Sequence, residues 1–170
     1  MDYHILLSDI ATPNDCAHQL QAYIHDAEVS LTISYTSQFE NAKKLREICN
    51  TLFNLLNIPS AWKPRLTLII DELNNNAIEY GSATGEENTI SLSYREHELT
   101  IEVTDTGHGT KHKTAKQMEE LEEANKNKNF TEHHSIRGRG LFLIIIKLVD
   151  RLYFKDSASG GLIVGITKKF

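Results

Sequence analysis

Asp71-Glu72-Leu73-Asn74-Asn75-Asn76-Ala77-Ile78-Glu79-Tyr80-Gly81 closes a run in which Leu66, Ile69, Ile70, Leu73, Ala77 and Tyr80 recur at helical spacing. At about 100° per residue these side chains fill one arc of a helical wheel. Glu72 and Asn76 fall together on one flank of that arc, one turn apart, while Asp71 and Asn75 point the other way, toward solvent. A helix that buries one face and lines the edge of that face with an acid and an amide borders a cleft. Gly81 then supplies the stop.

Upstream, Val29, Leu31, Ile33 and Tyr35 alternate with polar residues, the period of a half-buried strand. Ser37 and Glu40 have capping-box spacing before a core-facing helical stripe of Ala42, Leu45, Cys49, Leu52, Phe53 and Leu56. Residues 57–60 break that helix, and Ser60 is the expected cap of the next, which tolerates Pro64 in its first turn. Residues 1–28 are an N-terminal extension with weaker signals, a short strand over Tyr3 to Leu7 and a helix between Asn14 and Asp26.

Downstream, Ile90, Leu92 and Tyr94, then Leu99, Ile101 and Val103, make two alternating strands joined by a turn at Arg95 to Glu98. Asp105 shares the parity of Leu99, Ile101 and Val103, so it faces the core side and requires a partner there. Gly107 and Gly109 follow it and allow the backbone to turn sharply. Residues 110–136 are polar, with one short helix carrying Ala115, Met118, Leu121 and Ala124. Leu141 to Val149 is apolar nearly all round and suits a buried helix, and strands near Arg151–Lys155 and Leu162–Lys168 flank a turn at 157–161. Without the regular alternation of a parallel sheet, the class is α+β: a two-layer sandwich, a mostly antiparallel mixed sheet with helices on one face.

The chain of 170 residues suits one soluble domain. A formal charge of −5 gives no electrostatic reason to expect nucleic acid or an anionic membrane as partner. Cys16 and Cys49 lack metal-ligand or redox spacing, no signal peptide is visible, and the run from Leu141 to Ile146 is too short for a bilayer, so a cytoplasmic protein is expected. His108, His112, His133 and His134 have no acid or cysteine partners at ligating spacing and do not make a metal site.

Three separated pieces have the chemistry of a nucleotide site. Gly138 and Gly140 precede a helix start, where unpaired N–H groups bind phosphate. Asp105 can accept a hydrogen bond from an exocyclic amine such as that of adenine. Asn76 offers a hard oxygen to Mg²⁺, and Glu72 can take a proton from a hydroxyl or water.

Glu72-x-x-x-Asn76-Ala77, Asp105-x-Gly107-x-Gly109 and Gly138-x-Gly140-Leu141 resemble, in order, the three nucleotide-binding boxes of the GHKL ATPase superfamily, whose ATP-binding fold is the Bergerat fold. The similarity runs from about Val29 to the C-terminus, so 29–170 is expected to be the ATP-binding domain. Its small bacterial branch, the anti-sigma-factor serine kinases of partner-switching systems, is the nearest likeness.

That resemblance implies ATP and Mg²⁺ as cofactors, with Asn76 as the metal ligand and Asp105 on the adenine amine. Gly107 and Gly109 would shape the base pocket. Gly138 and Gly140 would hinge a lid over the phosphates, with Arg139 and Leu141 in the same nucleotide-contacting turn and Arg137 and Arg139 placed to stabilise phosphate charge. Glu72 would be the catalytic base that activates a protein serine or threonine. The implied partners are a sigma factor, its antagonist or both, and relatives commonly form homodimers. A non-catalytic ATP-sensing interaction module is the alternative. At the place where the superfamily often carries a threonine beside adenine, this chain has Leu162.

Overall fold

The computed structural model describes residues 2–10, 13–126 and 145–170. Among them, six strands form one sheet: β1 Tyr3–Leu6, β2 Val29–Thr36, β3 Glu87–Arg95, β4 Glu98–Thr104, β5 Arg151–Asp156 and β6 Leu162–Lys169, in the order β1-β2-β3-β4-β6-β5. β1 runs parallel to β2, and the other pairings are antiparallel. Helices α1 Pro13–Gln21, α2 Phe39–Leu55, α3 Lys63–Asn76 and α4 Ala115–Lys126 accompany them, and residues 145–148 are helical as well.

Register explains the layering. Leu31 pairs with Leu92, and Leu92 in turn with Ile101, so the apolar phase of each strand lands on the same face. These residues are buried against Leu45, Leu52 and Phe53 of α2 and Leu66, Ile69, Ile70 and Leu73 of α3 in a single core. The opposite phase is polar, with Thr32 and Ser91 hydrogen-bonded at 2.8 Å across β2 and β3. One wet face and one helix-covered face make the expected α+β sandwich.

The first residues join this body. β1 extends the sheet edge beside β2, and Leu7, Ile10, Cys16 and Leu20 lie in the same core as the rest. Their sequence signal is weak because a four-residue edge strand and a nine-residue helix present few periods to read.

The helices differ from the sequence expectation in four places, three of them boundaries. Gln38, not Ser37, is the N-cap of α2, and the Ser37 hydroxyl is buried without a hydrogen-bond partner among the described residues. Ser37 instead uses its backbone, donating to the Glu86 carbonyl at 2.7 Å, so the strand-to-loop tether overrides the capping box. Ser60 does not cap α3, whose N-cap is Trp62. That end is fastened by Trp62 packing edge-on against Phe170 at 5.9 Å. Asp71 does not face open solvent: Arg46 of α2 reaches it at 2.7 Å, because α2 packs along that side of α3. Gly81 does not end the helix in a left-handed turn. α3 runs on into a π-helical turn, Ala77–Gly81, closed by the Ser82 amide on the Ala77 carbonyl at 2.9 Å.

The break after α2 is as expected and has a clear cause. Asn57 adopts φ 54°, and the amides of Asn57 and Ile58 turn back to the carbonyls of Asn54 and Phe53, the paired closure of a Schellman motif. Between β3 and β4, Glu96 and His97 both take positive φ, which gives the tight two-residue hairpin its twist. No helix among the described residues is long and apolar enough to cross a membrane.

Candidate functional site

At one end of the sheet the inward phase changes from apolar to polar. Tyr35 and Asn88 are register partners at the ends of β2 and β3, and Asp105 continues the inward phase of β4. Asp105 is only 8% exposed. Its Oδ1 accepts from the amides of Leu162 at 2.9 Å and Gly107 at 3.0 Å. The Asp105 amide answers by donating to the Leu162 carbonyl at 3.1 Å. Burial raises the Asp105 carboxyl above its usual range, opposed by those two amides and by His112, whose Nδ1 stands 4.0 Å from Oδ1. With both hydrogen bonds on Oδ1, Oδ2 has no protein donor among the described residues and remains an acceptor for a ligand.

Three backbones converge on this carboxylate, and glycine makes that possible. A Cβ at Gly81 would collide with the Asp105 carboxylate, and one at Gly161 with the Asp105 carbonyl. Gly107 takes φ +77° against the Gly160 carbonyl. Gly109 lies against the Tyr80 carbonyl with no room for a side chain, its amide donating to the Gly81 carbonyl at 3.0 Å. The helix end at 77–81 and the loop at 105–109 are thereby joined. Gly81→Ala is expected to destabilise the fold by about 1–3 kcal/mol through overpacking, measured by thermal unfolding, and to displace Asp105.

Glu72 and Asn76 lie on the same flank of α3, where the Asn76 Nδ2 donates to Glu72 Oε1 at 3.3 Å. Burial pushes the Glu72 carboxyl up, the Asn76 hydrogen bond opposes this, and the negative charge of Glu79 adds to it. The Asn76 amide nitrogen is turned toward Glu72, so its carbonyl oxygen is left as an acceptor without a protein donor among the described residues. That donor set fits Mg²⁺, which takes a few hard protein oxygens and completes its shell with phosphate and water.

The rim around Asp105 is fastened on a second side by Glu86. Its Oε2 accepts from the Thr106 hydroxyl and from the Ala83 amide at 3.0 Å, and its Oε1 holds His108 Nδ1 at 2.8 Å. These partners hold the Glu86 carboxyl below its usual range.

The entrance to α4 is likewise built. Thr114 and Gln117 exchange side-chain and backbone hydrogen bonds at 3.3 and 2.9 Å, a capping box that the sequence reading missed. Asp156, at the end of β5, accepts from the Ala115 amide at 2.8 Å. The hairpin that supports Asp105 through Leu162 therefore also anchors the start of α4. Thr114→Ala is expected to weaken the first turn of α4 by about 1 kcal/mol, seen as faster amide exchange there with little change elsewhere.

Of the residues expected from sequence, the structure brings Glu72 beside Asn76, and Asp105 and Gly109 against the end of the same helix, while Gly107 packs against the Gly160–Gly161 turn. Gly138, Arg139, Gly140 and Leu141, with Arg137, lie outside the described residues, as does the start of the Leu141 helix. Its continuation at 145–148 is helical, with Ile145 in the core. Leu162 meets Asp105 through its backbone, while its side chain packs with Ala115 and Phe154.

Sequence reading missed Asn74, Asn88, Ser82 and Glu86. Asn74 and Asn88 had a usable signal: each is a carboxamide standing in an apolar phase, four residues after Ile70 and two before Ile90. Ser82 and Glu86 had none, because each is tied to Thr106, in a loop distant in the sequence.

The model of the histidine kinase-like ATPase domain matches residues 35–168, which takes in α3, the Asp105 loop and the last two strands. Comparison with curated proteins gives no match.

Proposed function

This chain belongs to the histidine kinase-like ATPase domain family, and from that premise we propose that it is an ATP-dependent protein serine/threonine kinase of a bacterial partner-switching pathway. It would bind a sigma factor or its antagonist and release one by phosphorylating the other. A GHKL-type ATP-binding domain is what the family carries; the kinase activity and the partners are the step beyond it.

The observation that carries the kinase reading is Glu72. Its carboxylate is half-buried, raised in pKa by that burial, and oriented by Asn76. A general base works best when its pKa approaches the working pH, and burial moves Glu72 in that direction. Asp105 would accept a hydrogen of the adenine amine on Oδ2. The Asn76 oxygen would hold Mg²⁺, which when bound offsets the negative charge of the phosphates. Glu72 would remove the proton of a serine or threonine hydroxyl as its oxygen bonds to the γ-phosphorus. The bond from that phosphorus to the bridging oxygen breaks, and ADP leaves.

Affinity capture by the wild type and by Glu72→Ala from source-cell lysate with Mg²⁺-ATP, followed by phosphosite mapping, tests this. A captured protein carrying phosphoserine or phosphothreonine only with the wild type supports the kinase. A partner held in an ATP-dependent way by both forms and never phosphorylated would mean a nucleotide-gated interaction module.

A further inference from the structure

The turn after Gly109 brings into the Asp105 site a side chain to which the proposed chemistry gives no role. The His112 amide donates to the Gly109 carbonyl at 3.4 Å, and the Lys111 ammonium stands 5.4 Å from the centre of the Tyr80 ring, so the turn is laid across the end of the helix that carries Glu72 and Asn76. His112 points inward from it. Its side chain is 25% exposed, and Nδ1 lies 4.0 Å from Asp105 Oδ1, a separation too long for a hydrogen bond. Nδ1 is buried with no hydrogen-bond partner among the described residues.

A carboxylate close to one ring nitrogen favours a hydrogen on that nitrogen, because an N–H dipole aimed at negative charge is stabilised and a lone pair is repelled. Nδ1 is therefore a donor, in the neutral ring as in the charged one. Asp105 Oδ1 does not take this hydrogen, since it stands too far away and already holds the amides of Leu162 and Gly107. A buried donor without an acceptor is costly, and a ligand atom that accepts from it removes the cost.

We propose that His112 is a second purine-recognising residue of this site, donating from Nδ1 to a ring nitrogen beside the adenine amine while Asp105 Oδ2 accepts from the amine itself. An acceptor next to a donor is what adenine requires, because its 6-amino group donates and the ring nitrogens that flank it, N1 and N7, accept. His112 thus reads the base and takes no part in phosphotransfer. The inference rests on the ATP-binding reading and not on the kinase step, so it is tested without any acceptor protein.

Long-range ¹H–¹⁵N spectra of the nucleotide-free protein are expected to show a hydrogen on His112 Nδ1, and a bare Nδ1 would overturn the inference. Binding of 1-deaza-ATP and 7-deaza-ATP, each lacking one of the two ring nitrogens, then locates the contact. The wild type is expected to bind one of them about tenfold more weakly than ATP, the loss of one buried hydrogen bond. His112→Phe keeps a ring and removes its nitrogens; its ATP affinity is expected to fall by about the same factor, with almost no further loss for that analogue. His112→Asn, whose Nδ2 stands where Nδ1 does, is expected to recover most of the affinity. Full affinity of the wild type for both analogues, or equal losses in wild type and His112→Phe, would overturn the inference and leave Asp105 to read the base alone. A wild type that fails to bind ATP would remove the ATP-binding reading and this inference with it, whereas one that binds ATP without coupling between His112 and either ring nitrogen would remove this inference only.

Discussion

Glu72→Gln is expected to lower phosphotransfer by about 10²–10⁴-fold, the usual contribution of a positioned general base, while ATP affinity stays close to that of the wild type. Glutamine keeps the length of the side chain and an oxygen for the Asn76 Nδ2, so the flank of α3 retains its geometry. Only the ability to take a proton is lost. Single-turnover transfer to the captured partner, read beside equilibrium nucleotide binding, separates the two effects.

The pH profile supplies a second check with a definite sign. The base is active when ionised, and burial raises the Glu72 pKa above the ordinary 4.5. Transfer therefore rises with pH through a midpoint displaced upward from that value, and the limb disappears in Glu72→Gln. Removing the neighbouring negative charge with Glu79→Gln is expected to move the limb down. Equal transfer rates in wild type and Glu72→Gln would remove Glu72 from the mechanism.

Much of this site was legible in the sequence because it uses local periodicity. The wheel position of Glu72 and Asn76 depends only on residues within two turns, and the structure places them in contact. The inward aim of Asp105 follows from strand parity over 99–105, and it is buried. The role of Gly81 was not legible. A glycine after a helix is ordinarily a left-handed stop, but here it leaves room for a carboxylate 24 positions later in the chain, a contact that no local pattern encodes. Capping shows the same limit. Ser37–Glu40 and Thr114–Gln117 both have the spacing of a capping box, and only the second forms. The first loses to the backbone tether between Ser37 and Glu86, which depends on the pairing of β2 with β3.

Asp105→Asn is expected to lower ATP affinity by about 100-fold, the loss of roughly 3 kcal/mol from a charge-assisted hydrogen bond, and yet to raise the melting temperature. The first effect follows from which oxygen is occupied. Leu162 and Gly107 both present N–H donors to Oδ1, so an asparagine must keep its carbonyl oxygen there. Its NH₂ group is then forced into the place of Oδ2, beside Gly81. A donor would face the donor amine of adenine, whereas a 6-oxo purine would find a partner. Preference is expected to shift from ATP toward GTP, measured by competition between the two nucleotides. The second effect follows from burial. The folded-state pKa of Asp105 is raised above the ordinary 3.8, so its contribution to stability is fully present only below that value and is lost as pH rises through the raised pKa. At neutral pH the ionised carboxylate burdens the fold, and the neutral amide removes that burden while keeping both backbone hydrogen bonds. A variant that is more stable and binds ATP poorly would mean that the charge at the end of β4 is held there for the ligand. A variant that is less stable, with ATP binding intact, would make Asp105 a loop-capping residue and return the choice of purine to other groups.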